Sequence, residues 1–144
     1  MIQRIQSIYL LFAALISGIL VFFISFFEHE NIEDPNIISL LSDERYLIIS
    51  IGIGFFTSCF LSVISIFMFK NRQNQFVLGR LNILINFYLL GVLLFESLNL
   101  SGETKVSEKG IGVFLPLIII FLLVFANKAI KKDENLVKSV DRLR

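Results

Sequence analysis

Long apolar stretches alternate along this chain with short polar segments. Four such stretches contain a single charged side chain between them, Glu96; they are residues 5–27, 46–69, 81–100 and 111–126. A helix that crosses the hydrocarbon core of a bilayer needs about 20 mostly apolar residues, and each stretch meets or nearly meets that length. The pattern predicts an all-α protein, a four-helix bundle in a membrane, with a tail helix over residues 127–144.

The composition agrees with one membrane domain. Hydrophobic residues make up 56% of the 144 residues, and the mean hydropathy is +0.80. The net charge of +1 gives no basic field, so we expect no nucleic-acid partner. One cysteine and one histidine form neither a Cys pair nor a His pair, and phosphate-loop and nucleophile motifs are absent. We therefore predict a protein that is not an enzyme, without cofactor, metal or evident small-molecule substrate.

Basic residues fall unevenly on the two sides that four spans create. With the amino terminus inside, ten of the 13 Lys and Arg residues lie in inner segments, and the other three are Arg45, Lys105 and Lys109. Inner loops of membrane proteins carry an excess of Lys and Arg. Both termini and the 70–80 loop are therefore predicted to be cytoplasmic.

A row of small residues recurs about every four positions in the second span. It comprises Ser50, Gly54, Ser58 and Ser62, with Ser65 on the same side. Small residues let helix backbones approach closely in lipid. The row indicates either packing inside the bundle, which we favour, or a seam with a second copy or a partner.

The third span carries polar residues on one face. Gln75, Gly79, Asn82 and Asn86 are spaced four, three and four, and Glu96 falls on the same side. Asn82, Asn86 and Glu96 form a candidate intramembrane polar site, because an ionisable residue in a span is a functional hypothesis by default. In the structural interpretation, which we favour, the two asparagines bond to neighbouring helices, and Glu96 either reaches the outer interface or pairs with Lys105 or Lys109.

The chain ends on an amphipathic basic segment, residues 126–144. Asp133 lies inside its apolar stripe, and Glu134 with Lys138 makes a favourable i,i+4 pair. Such a helix either lies on anionic lipid or docks onto a protein. Asp133 favours docking slightly, because a partner or a basic residue of the 70–80 loop would satisfy its carboxylate.

Together, the 70–80 loop and the tail form the surface that we expect partners to contact. Predicted partners are membrane lipids and other membrane-protein subunits. The candidate contact residues are Arg72, Gln75, Arg80, Lys131, Asp133, Val137, Val140 and Arg144.

Three stretches carry a family resemblance: the opening MIQRIQSIYLLFAA, the inner loop KNRQNQFVLGRLNILIN, and the ending LPLIIIFLLVFANKAIKKDENLVKSVDRLR. They resemble an uncharacterised Bacteroidetes family of small integral membrane proteins, known only as domain of unknown function 4293. The resemblance covers nearly the whole chain and is weakest in the two outer loops. It implies a four-helix protein of the bacterial inner membrane and brings no activity, cofactor or catalytic residue.

Two functions fit these observations. The first is a non-catalytic accessory or scaffold subunit of a larger inner-membrane assembly, with protein export or envelope biogenesis as the suggested process. The alternative is a small oligomeric transporter or channel that uses the polar face of the third span. Packing of that face against a neighbouring helix favours the scaffold, whereas a wet cavity favours transport.

Overall fold

A computed structural model describes residues 5–20, 46–100 and 111–141, which lie in helices and in one turn between helices. The prediction of an all-α protein is confirmed for these residues. Residues 21–27 of the predicted first span lie outside them. The elements are α1 (Ile5–Leu15) with a π-helical continuation (Ile16–Leu20), α2 (Tyr46–Phe67), α3 (Arg72–Leu100), a 3-10 turn (Ile111–Phe114) and α4 (Leu115–Asp141).

The helices pack in a ring, in which α1 and α3 each contact both α2 and α4. Asn82 of α3 bonds to Ser62 of α2, and Asn86 to Ser58, so these two helices are antiparallel. Arg72 of α3 likewise bonds to Asp133 near the end of α4. α3 therefore runs antiparallel to both α2 and α4, as in an up-down-up-down bundle.

One end of the bundle, the turn end, holds the start of α1, the α2–α3 turn and the end of α4. The rings of Tyr9 and Phe125 meet at 5.9 Å between centroids, which places early α1 beside the middle of α4. Further along α1, Gly18 lies against Cys59 of α2, where an added Cβ would be 2.7 Å from the cysteine sulfur. The α1–α2 contact therefore depends on the glycine.

Each of the four helices has a row of buried positions that follows one repeat. They are spaced alternately by four and three residues, as in left-handed bundles with coiled-coil-like packing. In each repeat of seven residues, two positions therefore face the interior of the bundle. The positions are Gln6, Leu10, Ala13 and Ser17 on α1; Ile51, Phe55, Ser58, Ser62 and Ser65 on α2; Gln75, Gly79, Asn82, Asn86, Leu89 and Leu93 on α3; and Pro116, Ile119, Leu123, Ala126 and Ile130 on α4.

α3 begins well before the apolar stretch that we predicted as the third span. The side-chain oxygen of Asn71 accepts the Asn74 backbone N–H at 3.5 Å, and the Asn71 carbonyl accepts that of Gln75 at 3.1 Å. Asparagine at this position caps a helix by satisfying a donor that the first turn leaves free. The helix therefore starts at Arg72 rather than Leu81, and its first turns are polar.

α4 is one continuous helix of 27 residues, or about 40 Å at about 1.5 Å per residue. Pro116 stands in its first turn, where a missing N–H removes no helix bond. The prediction that the tail continues the fourth span without a break is confirmed as far as Asp141.

The outside of the bundle is as apolar as its inside. Phe60, Phe67 and Leu84 are 64%, 75% and 67% exposed. Among the described residues three helices are long and apolar enough to cross a membrane, over Ile49–Phe67, Arg72–Phe95 and Gly112–Ser139, and Ile5–Ile19 is a shorter apolar helix. Exposed apolar surface on this scale needs lipid or protein to cover it.

Candidate functional site

The polar face of α3 points into the bundle. Gln75, Asn82 and Asn86 are each at most 1% exposed, and Gly79 between them is also buried. Their spacing of four, three and four is that of the heptad core positions. This face is therefore part of the interior rather than a surface towards lipid.

Asn82 and Asn86 bond to the small-residue row of α2. Asn82 Nδ2 donates to Ser58 O at 3.0 Å and to Ser62 Oγ at 2.8 Å. Asn86 Nδ2 donates to Ser58 Oγ at 2.8 Å and to Asn82 Oδ1 at 3.1 Å. These four residues form what we name the asparagine ladder, which joins α2 and α3.

The ladder accounts for the small residues of α2. A serine every fourth residue brings the backbones close enough for the short asparagine side chains to reach across. Interhelical hydrogen bonds of this kind in membranes contribute about 0.6 kcal/mol on average and up to about 1.7 kcal/mol. Gly54, Ser58, Ser62 and Ser65 therefore lie inside the bundle, as the favoured interpretation of the row predicts, and Ser50 at its end is half-buried.

The buried part of the α2–α3 interface becomes apolar towards the other end, where a more exposed polar contact joins Ser50 Oγ and Tyr88 OH at 3.1 Å. Ile51, Phe55, Leu89 and Leu93 are all 0% exposed and follow the ladder in the same heptad register. Gly54 also belongs to this part, since an added Cβ would overlap the side chain of Leu89. A polar path that follows the ladder along this interface therefore ends against packed aliphatic and aromatic side chains.

At the turn end, each helix contributes a buried polar side chain. Gln6, Ser65 and Gln75 are at most 1% exposed, and Asn127 is 7% exposed. A Cβ at Gly79, one turn from Gln75, would overlap the Asn127 side chain, so Asn127 lies directly against α3. We name Gln6, Gln75 and Asn127 the amide cluster.

The amide cluster is incompletely bonded. Among the described residues, Gln6 Nε2, both polar atoms of the Gln75 side chain and Asn127 Oδ1 are buried without a hydrogen-bond partner, as is Asn86 Oδ1 in the ladder. Each buried polar group that lacks a partner costs about 1–3 kcal/mol. A further hydrogen-bonding partner for these four atoms at the turn end would therefore stabilise the interior.

The structure corrects one predicted partner contact, Gln75. We predicted that this residue lies on the surface of the 70–80 loop, but its side chain is fully buried. The reason is that α3 begins at Arg72, so Gln75 already occupies a core position of the bundle. A fully buried side chain offers no surface to a separate protein.

The other predicted contact residues at the start of α3 have partners within the chain. Arg72 Nη1 donates to the backbone carbonyl of Asp133 at 2.9 Å. The Arg80 guanidinium lies 4.2 Å from the centre of the Phe76 ring, a cation–π contact on the exposed face. Arg72 thus fastens α4 to the start of α3.

Beyond Asp133 the last turns of α4 form the projecting tail, residues 134–141. Leu136 and Val137 are 57% and 45% exposed. Lys131 is exposed and Asp133 half-buried, and Lys138 pairs with Glu134 at 2.6 Å, the predicted i,i+4 pair. The side chain of Val140, and all of Arg144, lie outside the described residues.

Glu96 belongs to α3, but its side chain also lies outside what the structure describes. Of the candidate intramembrane polar site, the structure therefore brings Asn82 and Asn86 together. Whether Glu96 has a structural or a functional role stays a prediction.

Sequence reasoning missed two members of the amide cluster, Gln6 and Asn127. Each lies near the end of an apolar stretch, where a polar residue usually marks the membrane interface. The signal for Gln6 is its spacing, because it lies four residues before Leu10 and seven before Ala13, as core positions of a heptad do. Asn127 lies one residue outside that register and gives no comparable signal.

These features define a class: a small helical bundle with an apolar exterior, membrane-length helices and hydrogen-bonded polar side chains inside. The chain belongs to the family described as Domain of unknown function (DUF4293), which matches residues 2–143. Searches of the curated proteins and of the solved structures found no match.

Proposed function

We propose that this protein is a non-catalytic accessory or scaffold subunit of a larger assembly in the bacterial inner membrane, with protein export or envelope biogenesis as the host process. The observation that carries the proposal is the projecting tail, because Leu136 and Val137 are exposed beyond the last described contact of α4 with α3. Apolar side chains on a helix that extends past the bundle are suited to a partner groove.

The continuity of α4 favours a protein partner over a lipid surface. A helix that binds lipid through an apolar stripe lies in the plane of the membrane interface. The tail instead prolongs the helix Leu115–Asp141, whose apolar part would cross the membrane. Without a break it extends away from the bilayer, where its apolar side chains meet water or another protein.

The bonding of Asn82 and Asn86 favours the scaffold over the transporter. Both side chains donate to α2, and the interface beyond them is closed by apolar packing. The transporter remains the second candidate through Glu96. If Glu96→Gln abolished growth at a normal protein level, the transporter would gain support, because the amide keeps most hydrogen bonds of the carboxyl group.

Purification in mild detergent at native expression tests the proposal. The wild-type protein should migrate as a discrete complex larger than its monomer, with the same proteins identified after cross-linking in intact membranes. Val137→Asp should release those proteins, because it places a charge in the contact. The matched control is Asn135→Asp, which adds the same charge at another exposed position of the tail.

A wild-type protein that is monomeric in the gentlest detergent and yields no cross-linked product in membranes would contradict the proposal. Equal loss of partners in Val137→Asp and Asn135→Asp would show that net charge, rather than the apolar contact, holds the complex.

A further inference from the structure

The amide cluster holds polar groups from three helices at one level of the bundle. Gln75 lies on α3 between two contacts with α4, the Gly79–Asn127 approach and the Arg72–Asp133 hydrogen bond. It therefore faces the stretch of α4 that contains Asn127. Both side chains are at least nine-tenths buried.

Gln6 reaches the same level from α1. Tyr9 lies beside Phe125 of α4, whereas Gly18 lies beside Cys59, further from the turn end, so α1 runs opposite to α4. Moving three residues back from Tyr9 thus corresponds to moving about three residues on from Phe125, which reaches Asn127 and its neighbours. Ser65 of α2, 1% exposed, completes the ring at this level, since Ser62 pairs with Asn82 one turn further in.

The unpartnered atoms are complementary in kind to a small neutral molecule. Gln6 Nε2 and Gln75 Nε2 are donors, whereas Gln75 Oε1 and Asn127 Oδ1 are acceptors. All four belong to uncharged amides, so neither a cation nor an anion finds a counter-charge in the cluster. A buried water typically makes two to four hydrogen bonds to groups of this kind.

We propose that the amide cluster is a water-binding pocket inside the turn end of the bundle, in which water joins Gln6, Gln75 and Asn127 across three helices. Water donates to the two amide oxygens and accepts from the two amide nitrogens. The pocket adjoins the asparagine ladder, where Asn86 Oδ1 is the last unpartnered acceptor before the apolar part of the α2–α3 interface. It is consequently a blind pocket rather than a pore.

Glutamine-selective labelling tests the pocket directly in the full-length protein. The chain has four glutamines, of which Gln6 and Gln75 are buried and Gln73 is exposed on the same helix as Gln75. With ¹⁵N-glutamine in deuterated detergent, the side-chain amides of Gln6 and Gln75 should both show magnetisation transfer from water, as Gln73 does. Transfer at Gln73 with none at Gln6 and Gln75 would overturn the proposal.

The sign of a stability change gives an independent test. If water bridges the cluster, Gln75→Leu leaves Gln6 and Asn127 without their shared partner, and the midpoint of thermal unfolding should fall by about 3–5 °C. If the cluster is dry, the same substitution removes two orphaned groups and should raise the midpoint, which would contradict a bound water. Gln73→Leu, at an exposed position, is the matched control and should shift the midpoint by less than about 2 °C.

Discussion

Individual side chains decide how closely these helices approach. Gly79 accommodates Asn127, Gly18 accommodates Cys59, and serines on α2 accept bonds from the two asparagines of α3. In lipid there is no hydrophobic drive between helices, so close packing and hydrogen bonds carry much of the association. The contribution of close packing and hydrogen bonding to stability can be measured at two glycines of α3 and at one hydrogen-bonded pair between α2 and α3.

Gly79→Ala should destabilise the bundle by about 1–3 kcal/mol, because the added methyl group overlaps the Asn127 side chain. Gly91→Ala on the same helix meets no atom within 4 Å and should be neutral or stabilising by up to about 1 kcal/mol, the gain in helix propensity. Reversible unfolding in mixed micelles measures both. Equal effects of the two substitutions would show that the Gly79–Asn127 contact is absent.

Asn82 and Ser62 should be coupled by about 0.6–1.7 kcal/mol in a double-mutant cycle with alanine. The bond between Asn82 Nδ2 and Ser62 Oγ is 2.8 Å long and fully buried. Ser17 provides the control, since its hydroxyl bonds to Ala13 in its own helix and should add independently to Asn82→Ala. A coupling no larger than this control would remove the ladder as a source of stability.

At the scale of elements, the helical periodicity of the sequence predicted which residues of α3 share a face. It did not predict how far along the helix that face is buried. Gln75, Gly79, Asn82 and Asn86 were predicted to share a face because four side chains at helical spacing leave little alternative, and that face is buried. The assignment of Gln75 to the partner surface was wrong, because its side chain is fully buried. Packing instead continues with polar side chains to the helix start, which Asn71 caps.

For α4, the sequence indicated a continuous amphipathic helix, since neither glycine nor proline interrupts the tail. It could not indicate where the apolar stripe leaves the bundle. That point depends on how far α3 extends beside α4, and hence on the Arg72 contact with Asp133. The stripe divides there, with Ile130 buried and Leu136 exposed.

Asp133→Lys separates protein docking from lipid binding by the tail. Each basic charge near an anionic membrane strengthens binding by about 1 kcal/mol, so flotation of a tail peptide with anionic vesicles should improve. Co-purification of partners should instead fail, because a cation beside Arg72 replaces a half-buried carboxylate. Asn135→Lys introduces the same lysine at an exposed position, with a net charge change of +1 instead of +2, and should retain the partners. If Asp133→Lys keeps every partner and only floats better, the tail is a lipid anchor.

At the scale of the molecule, the arrangement of the helices fixes which segments of the chain lie on the same side of the membrane. The α2–α3 turn and the end of α4 lie at the same end of the bundle. Gln73 and Ser139, both exposed there, must therefore face the same compartment.

Cysteine labelling of intact cells tests the orientation, in a Cys59→Ala background. Introduced cysteines at Gln73 and Ser139 should be protected from an impermeant reagent, whereas those at Asn36 and Ser107 should react, as expected from the excess of Lys and Arg inside. Labelling at Gln73 and Ser139 with protection at Asn36 and Ser107 would reverse the orientation. Opposite results at Gln73 and Ser139 would contradict the fold itself.

The four-residue turn between α2 and α3 also bears on how the protein is made. Helices that enter the bilayer separately must find their neighbours by diffusion, and neighbours in sequence meet soonest. α2 and α3 can form the asparagine ladder once both have entered the bilayer, before α4 joins them. The hairpin would then be a preformed template, and α4 would dock onto it last, with Arg72 closing the final contact.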